Sequence, residues 1–310
     1  MERLLQEFPD DIRLVYRHFP LSSHDKAALA TQAAEAAGLQ GKFWEMHDLL
    51  FAQRDDWTNL SLSDFQSWLI DQAAGLGIDA EQFERDLNSA GLVKLAKEAY
   101  EKNAAIGLPG TPFLMINGRY YNSRMDYDNL RAVISIVLLE RQQFSDCPPI
   151  TIDTDKQYFA ILATEQGNVT IELYPEKAPM AVNNFIFLAQ QGWYEGVTFH
   201  RVIPGFVAQA GDPSGTGFGG PGYAFDNETS PGLIFDGPGV VAMANAGPGS
   251  NGSQFFITYA AAPQLDGSYT IFGRVISGME VVEKLTARNP AETINLPPGD
   301  VILSVTIESK

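Results

Sequence analysis

The chain has 310 residues, which is enough for two domains of ordinary size. Its net charge is −17, and both halves are acidic: residues 1–145 carry 14 Lys and Arg against 21 Asp and Glu, and residues 146–310 carry 7 against 17. An acidic surface repels phosphate groups, so this charge argues against nucleic acids and anionic membranes as partners.

The cysteine and histidine content excludes several kinds of site. The single cysteine, Cys147, cannot form an intrachain disulfide or a cysteine metal cluster, and the four histidines have no metal-ligand spacing. The apolar run at residues 132–139 is far too short to span a bilayer, and the opening MERLLQEFPDD has no apolar core of signal-peptide length. We therefore expect no metal, no cofactor, no membrane insertion, and a soluble chain without an export signal of its own.

Residues 1–143 have the pattern of an α/β domain with many helices. The expected helices cover residues 2–7, a segment from Asp25, residues 42–52, a segment capped by Ser61 or Ser63, a segment from Asp79, and residues 92–106 and 127–142. We expect strands at residues 12–19 and 113–116, and an Asn-Gly turn at 117–118 that leads into a second short strand.

Residues 144–156 are expected to form a linker. Two consecutive prolines stiffen the segment, and small polar residues around them favour contact with solvent. The predicted division is therefore a first domain at 1–143, a linker at 144–156 and a second domain at 157–310.

The second domain has the pattern of a closed antiparallel β-barrel with two helices, because many short strands are separated by Gly and Pro turns. The expected strands cover residues 158–164, 169–174, 198–202, 206–211, 240–244, 255–258, 271–275 and 302–308. The expected helices cover residues 178–190 and 279–287.

Three sequence blocks in the second domain carry a family resemblance. They are FHRVIPGFVAQAGD at 199–212, MANAGP with NGSQFFI at 243–257, and LDG with FGRV at 265–275. In order, spacing and content they resemble the cyclophilin-type peptidyl-prolyl cis/trans isomerases, and the resemblance covers about half of the chain. It implies an enzyme that accelerates the isomerisation of X–Pro bonds during protein folding.

Arg201 is the residue on which the chemistry of this site depends. A guanidinium inside an apolar block needs either an ion-pair partner or a ligand, and both readings are open from local sequence alone. Rotation about an X–Pro bond needs no nucleophile, metal or proton store, but it does benefit from a hydrogen-bond donor that favours the twisted amide. The resemblance implies that Arg201 is the catalytic arginine and that Gln209 orients it.

The resemblance also implies a proline pocket and a peptide groove. The implied pocket walls and groove residues are Ile203, Phe206, Val207, Phe256, Leu265, Ala244, Asn245, Ala246, Gln254 and Tyr269, with residues 215–217 at the rim. Phe199 and Phe255 are expected in the core. If residues 198–202 form a strand, alternation points His200 away from the cleft.

Three positions depart from the best-known members of this family. Val207 stands where a methionine is common, Gln264 where a tryptophan is usual, and Tyr269 where a histidine is common. The tryptophan contributes to binding cyclosporin in that family, so the resemblance implies weak inhibition here. The tyrosine favours a bacterial origin.

The first domain resembles a different family. The Gly110-Thr111-Pro112 segment followed by the hairpin resembles the cis-proline loop of thioredoxin-fold proteins, and the helical block upstream makes it most similar to the DsbA-type thiol–disulfide oxidoreductases. Their Cys-x-x-Cys pair is absent, and the first strand and the start of the first helix are missing. Either the chain is part of a longer exported or membrane-tethered protein, or this domain has lost catalysis and serves as a docking surface.

The leading hypothesis is therefore a peptidyl-prolyl isomerase whose partners are proline-containing unfolded or flexible polypeptides. One alternative is a proline-peptide binding or chaperone module without significant turnover. The other is a fragment of a bifunctional isomerase and disulfide oxidoreductase.

Overall fold

A computed structural model describes residues 1–229, 232–292 and 296–310. The chain forms two compact units, one of residues 12–123 and one of residues 1–11 together with 124–310. These units differ from the predicted domains, because residues 124–156 pack with the C-terminal part. Compactness alone does not define an independently folding domain, so the predicted domain boundaries stay a prediction. In the described residues, no helix is both long and apolar enough to cross a membrane.

The unit of residues 12–123 is mostly helical. Its elements are α2 (Ala27–Gly38), α3 (Phe43–Ala52), α4 (Arg54–Trp57), α5 (Leu62–Gly75), α6 (Ala80–Leu87), α7 (Ala90–Ala105), β1 (Leu114–Ile116) and β2 (Arg119–Tyr121). The helix starts predicted at Ser61 and Asp79 are confirmed, since the Ser61 hydroxyl accepts from the Asp64 N–H and the Asp79 carboxylate accepts from the Gln82 N–H. The helix expected from Asp25 begins at Ala27, without a side-chain cap. Asn117 and Gly118 both have positive φ, as the predicted turn requires.

The strand predicted at residues 12–19 is wrong, because this segment has no regular secondary structure. A strand needs a hydrogen-bonded neighbour, and β1 and β2 of this unit pair only with each other among the described residues. The core lies instead between the helices, where Met46, Phe65 and Phe83 are fully buried.

The second unit begins with α1 (Glu2–Glu7), which contacts α8 (Tyr127–Leu139) through an ion pair between Glu7 and Arg131 at 2.7 Å. The other described residues of this unit contain the helices α9 (Pro179–Gln190) and α10 (Met279–Val282), a 3-10 helix at Pro263–Leu265, and one antiparallel sheet. Its strands are β3 (Tyr158–Thr164), β4 (Gly167–Leu173), β5 (Val197–Thr198), β6 (Arg201–Ile203), β7 (Val207–Ala210), β8 (Val240–Met243), β9 (Phe255–Thr258), β10 (Ile271–Ser277) and β11 (Val301–Ser309).

The sheet has the strand order β5-β11-β3-β4-β10-β8-β9-β7-β6. It is curled, and its two edge strands are consecutive in the chain, joined by Phe199 and His200 rather than by a hydrogen-bond ladder among the described residues. The antiparallel β-structure with helices that was predicted for the second half is thereby confirmed.

Several predicted elements differ in extent by one to three residues, as the helix expected at 127–142 does by ending at Leu139, and two others differ more. The strand expected at 198–202 divides into β5 and β6, because the chain there crosses from one edge of the sheet to the other. The helix expected at 279–287 ends at Val282, since the Thr286 N–H donates to the Asp300 carboxylate at 2.6 Å instead of continuing the helix.

Strand alternation gives the sheet two different faces. Val202 on β6 pairs with Ala208 on β7, which pairs with Ile257 on β9, and all three are buried in the main core. The neighbouring positions along each strand face the opposite side, because successive side chains alternate. That second face carries a separate apolar cluster around Val207 and Phe256.

The segment expected to be a solvated linker is partly packed. Phe144, Cys147 and Ile152 lie against the main core, and the Phe144 N–H donates to the Pro221 carbonyl at 2.8 Å. These three positions differ from the solvated segment expected there, because apolar side chains are stabilised when they leave water and pack against a core. The linker bounds stay a prediction.

Phe185 is expected to be a major source of stability for this unit. Its buried ring contacts Tyr194, Phe272 and Phe255 at centroid distances of 4.9, 5.4 and 5.5 Å. Phe185→Ala should lower the opening free energy of β3, β4 and β11 amides by about 3–5 kcal/mol in hydrogen exchange. Phe218→Ala is the matched control, because that ring is 87% exposed, and should change it by less than about 0.5 kcal/mol. Equal effects of the two variants would contradict the assignment.

Candidate active site

Arg201 and Gln209 lie on neighbouring strands of the second sheet face. Arg201 on β6 is directly opposite Gln209 on β7, and Gln209 is opposite Phe256 on β9. Opposite residues of an antiparallel pair project from the same face, so these three side chains form one row. An Arg201 Nη1 hydrogen donates to Gln209 Oε1 at 3.4 Å, and the guanidinium carbon lies 5.8 Å from the centre of the Phe206 ring.

Arg201 is partly exposed, and its charge has no ion-pair partner among the described residues. In the part of the chain that the structure describes, no carboxylate lies within ion-pair distance of its guanidinium. This excludes, for those residues, the reading of Arg201 as half of a structural ion pair. A guanidinium has five N–H donors, so most of them remain available to a ligand.

An apolar surface lies beside Arg201 on the same face. Phe256 is opposite Ala242 on β8, which is opposite Ile271 on β10, and Val207 lies two residues before Gln209. We call Val207, Ala242, Phe256 and Ile271 the apolar floor; each is at most 6% exposed. A surface of this kind can hold a proline ring while the adjacent guanidinium contacts its amide.

The remaining predicted pocket residues surround this floor. Phe206, Ala244, Leu265 and Tyr269 are partly buried against it, and the Tyr269 ring meets Phe256 edge-on at 5.5 Å. Ile203 lies opposite Val207 and therefore faces the same side, but it is not part of the packed cluster.

Asn245 and Ala246 line a pocket of their own. A pocket of about 390 Å³ is lined by Asn227, Asn245, Ala246, Gly247, Pro248, Gly267, Ser268 and Tyr269. The Asn245 amide donates to the Ser268 carbonyl at 3.2 Å, and its oxygen accepts from the Gly247 N–H at 3.1 Å. Tyr269, which contacts Phe256, also lines this pocket, whereas Arg201 does not.

Gln254 connects the row of Arg201, Gln209 and Phe256 to residues 215–217, the predicted rim of the peptide groove. Its Nε2 donates to the carbonyls of Gly217 and Gly219 at 3.0 and 2.9 Å, and its Oε1 accepts from Gln209 Nε2 at 2.9 Å. The residue expected to line a groove therefore also holds Gln209.

His200 lies outside the cleft. Its ring is 3% exposed, and neither ring nitrogen has a hydrogen-bond partner among the described residues. Burial lowers its pKa to about 4, against a partial opposing effect of the Asp212 carboxylate, while Arg288 and Arg201 lower it further. A neutral, enclosed imidazole fits a packing role. Phe199 and Phe255 are fully buried, as expected.

Two residues near the site had no role in the sequence interpretation. Phe235 stacks on Phe256 at 5.8 Å and is 1% exposed, although it lies in a Gly- and Pro-rich loop that carried no periodic signal. Asp212 ends the first sequence block and is fully buried. An acidic residue directly after a predicted strand is a local feature, so the sequence alone could have indicated Asp212 as a candidate.

The described ranges contain no group of three or more His, Cys, Asp or Glu side chains that could hold a metal ion. Cys147 is partly buried, and burial raises the pKa of its thiol, which lowers the thiolate fraction.

Comparison with protein families matches both parts of the chain. A model described as "Cyclophilin type peptidyl-prolyl cis-trans isomerase/CLD" matches residues 158–307, and a model described as "Thioredoxin" matches residues 2–135. The two resemblances found in the sequence are confirmed at this level: a cyclophilin isomerase domain follows a thioredoxin-like one.

Individual relatives match the C-terminal part. The peptidyl-prolyl cis-trans isomerase ppi1 of Schizosaccharomyces pombe is 54% identical over 150 residues, which cover 47% of this chain and 97% of that protein. The peptidyl-prolyl cis-trans isomerase-like 1 of Aspergillus fumigatus is 54% identical over 128 residues, 40% of this chain and 80% of that protein. A crystal structure of a Cryptosporidium parvum cyclophilin type peptidyl-prolyl cis-trans isomerase is 38% identical, with a TM-score of 0.45, and the match covers 50% of this chain and 99% of that one.

Both curated relatives described above are fungal, so the bacterial origin suggested by Tyr269 has no support from them. Because the chain covers nearly the whole length of a relative with which it shares more than half of its aligned residues, it belongs to the cyclophilin-type peptidyl-prolyl cis-trans isomerase family and is an enzyme of that class.

Proposed function

We propose that residues 157–310 isomerise X–Pro bonds in unfolded or flexible polypeptides, with proline on the apolar floor and Arg201 donating a hydrogen bond to the twisted amide. The observation that carries this mechanism is the Arg201 guanidinium, which has no ion-pair partner in the described residues and shares one sheet face with Val207 and Phe256. A cation beside an apolar surface combines the two contacts that the reaction needs.

The chemistry follows from amide resonance. The barrier to rotation is ~18–20 kcal/mol, because conjugation between the nitrogen and the carbonyl is lost in the twisted state. The twisted nitrogen accepts a hydrogen bond better than the planar one, so a fixed donor stabilises the transition state more than the ground state. Lowering the barrier by ~7 kcal/mol corresponds to roughly a 10⁵-fold acceleration.

Gln209 and Asn245 have supporting roles in this proposal. Gln209 accepts from Arg201 and thereby fixes the plane of the guanidinium, leaving its other N–H groups directed to the substrate. Asn245 is partly exposed in the adjoining pocket, where its amide can bind the backbone of the peptide that flanks the proline.

The thioredoxin-like part does not enter this mechanism. Dithiol–disulfide exchange needs two cysteines, whereas this chain has one, with its thiol pKa raised by burial. We therefore propose the isomerase reaction, and not disulfide exchange, as the activity of this chain.

Replacing Arg201 should remove most of the activity. Arg201→Ala should lower kcat/KM for a proline peptide by about 100-fold or more, because the donor to the twisted amide is lost. The assay uses far less protein than peptide, so that turnover is separated from stoichiometric binding. Arg274→Ala is the matched control: Arg274 is ion-paired with Asp236, and its loss should leave kcat/KM within about twofold. An unchanged rate for Arg201→Ala would show that the mechanism is wrong.

Gln264 should limit the affinity for cyclosporin. Gln264 is exposed beside Leu265, at the position where the best-known family members carry a tryptophan. Gln264→Trp adds a large apolar surface there, so cyclosporin should inhibit the variant at least about 10-fold more tightly than the unmodified chain. Gln190→Trp places an indole on an exposed helix end and should leave inhibition unchanged. Tight inhibition of the unmodified chain would contradict this prediction.

His200 should affect stability, not catalysis, as the pH falls. Its pKa of about 4 in the folded chain lies below the ordinary value of about 6.5, so the unfolded chain binds the proton more tightly between these values. The contribution of His200 to the free energy of unfolding is therefore fully present above about pH 6.5. It falls by up to roughly 3 kcal/mol as the pH is lowered from there to about 4. An NMR titration of the imidazole checks the midpoint, and kcat should stay flat from about pH 6 to 8 because no proton transfer is needed. A midpoint near 6.5 would contradict the assignment.

A further inference from the structure

Asp212 holds a loop together through its carboxylate. It lies two residues after β7 and is fully buried. Its Oδ1 accepts from the Ser214 N–H at 2.8 Å and from the Ser214 hydroxyl at 2.7 Å. Its Oδ2 accepts from the N–H groups of Gly217, Gly219 and Thr216 at 2.7, 3.0 and 3.1 Å, and the Thr216 hydroxyl lies at 3.3 Å.

This arrangement depends on a carboxylate. No lysine, arginine or histidine in the described ranges forms an ion pair with Asp212, so the neighbouring N–H and O–H donors are its partners. Hydrogen bonds to a charged acceptor are stronger than those to a neutral one. An amide at this position would turn an NH₂ group towards other donors, and a buried donor without an acceptor is costly.

The loop of residues 212–219 aims two carbonyls at Gln254. Gly217 and Gly219 contribute both an N–H to Asp212 and a carbonyl oxygen to Gln254 Nε2. A Cβ at Gly219 would lie 2.0 Å from Asp212 Oδ1, so the backbone approaches the carboxylate as closely as a glycine permits. The Asp212 side chain therefore fixes the position of both acceptors.

These acceptors determine how the two glutamine amides face. Because the Gln254 NH₂ group donates to the loop, its oxygen faces Gln209 and accepts from Gln209 Nε2 at 2.9 Å. The Gln209 oxygen is thereby turned to Arg201 and accepts from Nη1. If the Gln209 amide were reversed, its NH₂ group would face a guanidinium that has only donors.

We propose that Asp212 is a positioning residue of the isomerase reaction, which acts on Arg201 through the loop of residues 212–219, Gln254 and Gln209. This inference rests on the proposed role of Arg201. Asp212 does not touch Arg201; it determines which end of the Gln209 amide does.

The test is a double-mutant cycle in the full chain. Asp212→Asn should lower kcat for a proline peptide about 10-fold with KM little changed, because binding to the apolar floor is retained. Gln254→Ala should cause a similar loss by interrupting the connection. The double variant should lose no more than about twofold beyond either single variant, since both changes act on one path. Losses that multiply to about 100-fold would overturn the proposal.

Asp300→Asn is the control for general damage to the fold. Asp300 is also a buried acid, 6% exposed, and accepts from the Thr286 N–H and from Gln166 Nε2. Its loss should lower the unfolding temperature and leave kcat unchanged, whereas an equal loss of kcat would overturn the proposal. If Asp212→Asn does not fold, Ser214→Ala can replace it, because this change removes one donor to the carboxylate and should lower kcat about twofold to threefold. In a chain that also carries Gln254→Ala, the Ser214→Ala change should have no further effect on kcat. A further loss of about twofold to threefold in that double variant would overturn the proposal.

Arg201→Ala in the same assay separates the two levels of inference. Full activity of that variant would reject the proposed mechanism, in which Arg201 donates to the twisted amide, and with it the role of Asp212. An inactive Arg201→Ala beside a fully active, folded Asp212→Asn would reject only the role of Asp212.

Discussion

The register between β6, β7 and β9 is the constraint on which the site depends. It places Arg201, Gln209 and Phe256 in one row, and it sends Val202, Ala208 and Ile257 into the main core from the same three strands. A shift of one residue in either pairing would exchange the two faces, burying the guanidinium and exposing apolar side chains. The burial that stabilises the fold therefore also fixes the row of Arg201, Gln209 and Phe256.

The partners of Arg201 are uncharged, and this suits the proposed chemistry. A carboxylate beside the guanidinium would take up its donors and neutralise its charge, whereas the Gln209 amide takes one N–H and leaves the charge for the substrate. The nearby acid, Asp212, has its charge satisfied by N–H and hydroxyl donors of its own loop. The site thus combines a buried anion and a partly exposed cation without an ion pair between them in the described residues.

The thioredoxin-like part and the isomerase part differ in the reactions that their residues can support. The family match supports the fold of the first part, but its cysteine content provides no redox pair. Cys147 lies outside the range that the thioredoxin model matches and packs against the core of the other unit. The activity that this chain can be assigned is therefore that of its C-terminal part.

The sequence by itself determined both fold classes and indicated the main candidate site residues. Arg201, Gln209 and Phe256 lie in the sequence blocks that carry the family resemblance, and that resemblance assigned all three to one site. Helix caps such as Ser61 and Asp79 were equally local. These features could be predicted because each depends on residues close together in the chain.

Only the tertiary structure decided the features that join distant segments. Phe235 meets Phe256 across 21 positions, the segment at 198–202 divides because the sheet curls back on itself, and Phe144 packs against a core formed much later in the chain. The strand expected at 12–19 failed for the same reason, since alternation cannot supply a neighbouring strand. Local pattern fixes which way a side chain faces, but its partners depend on long-range packing that no short window contains.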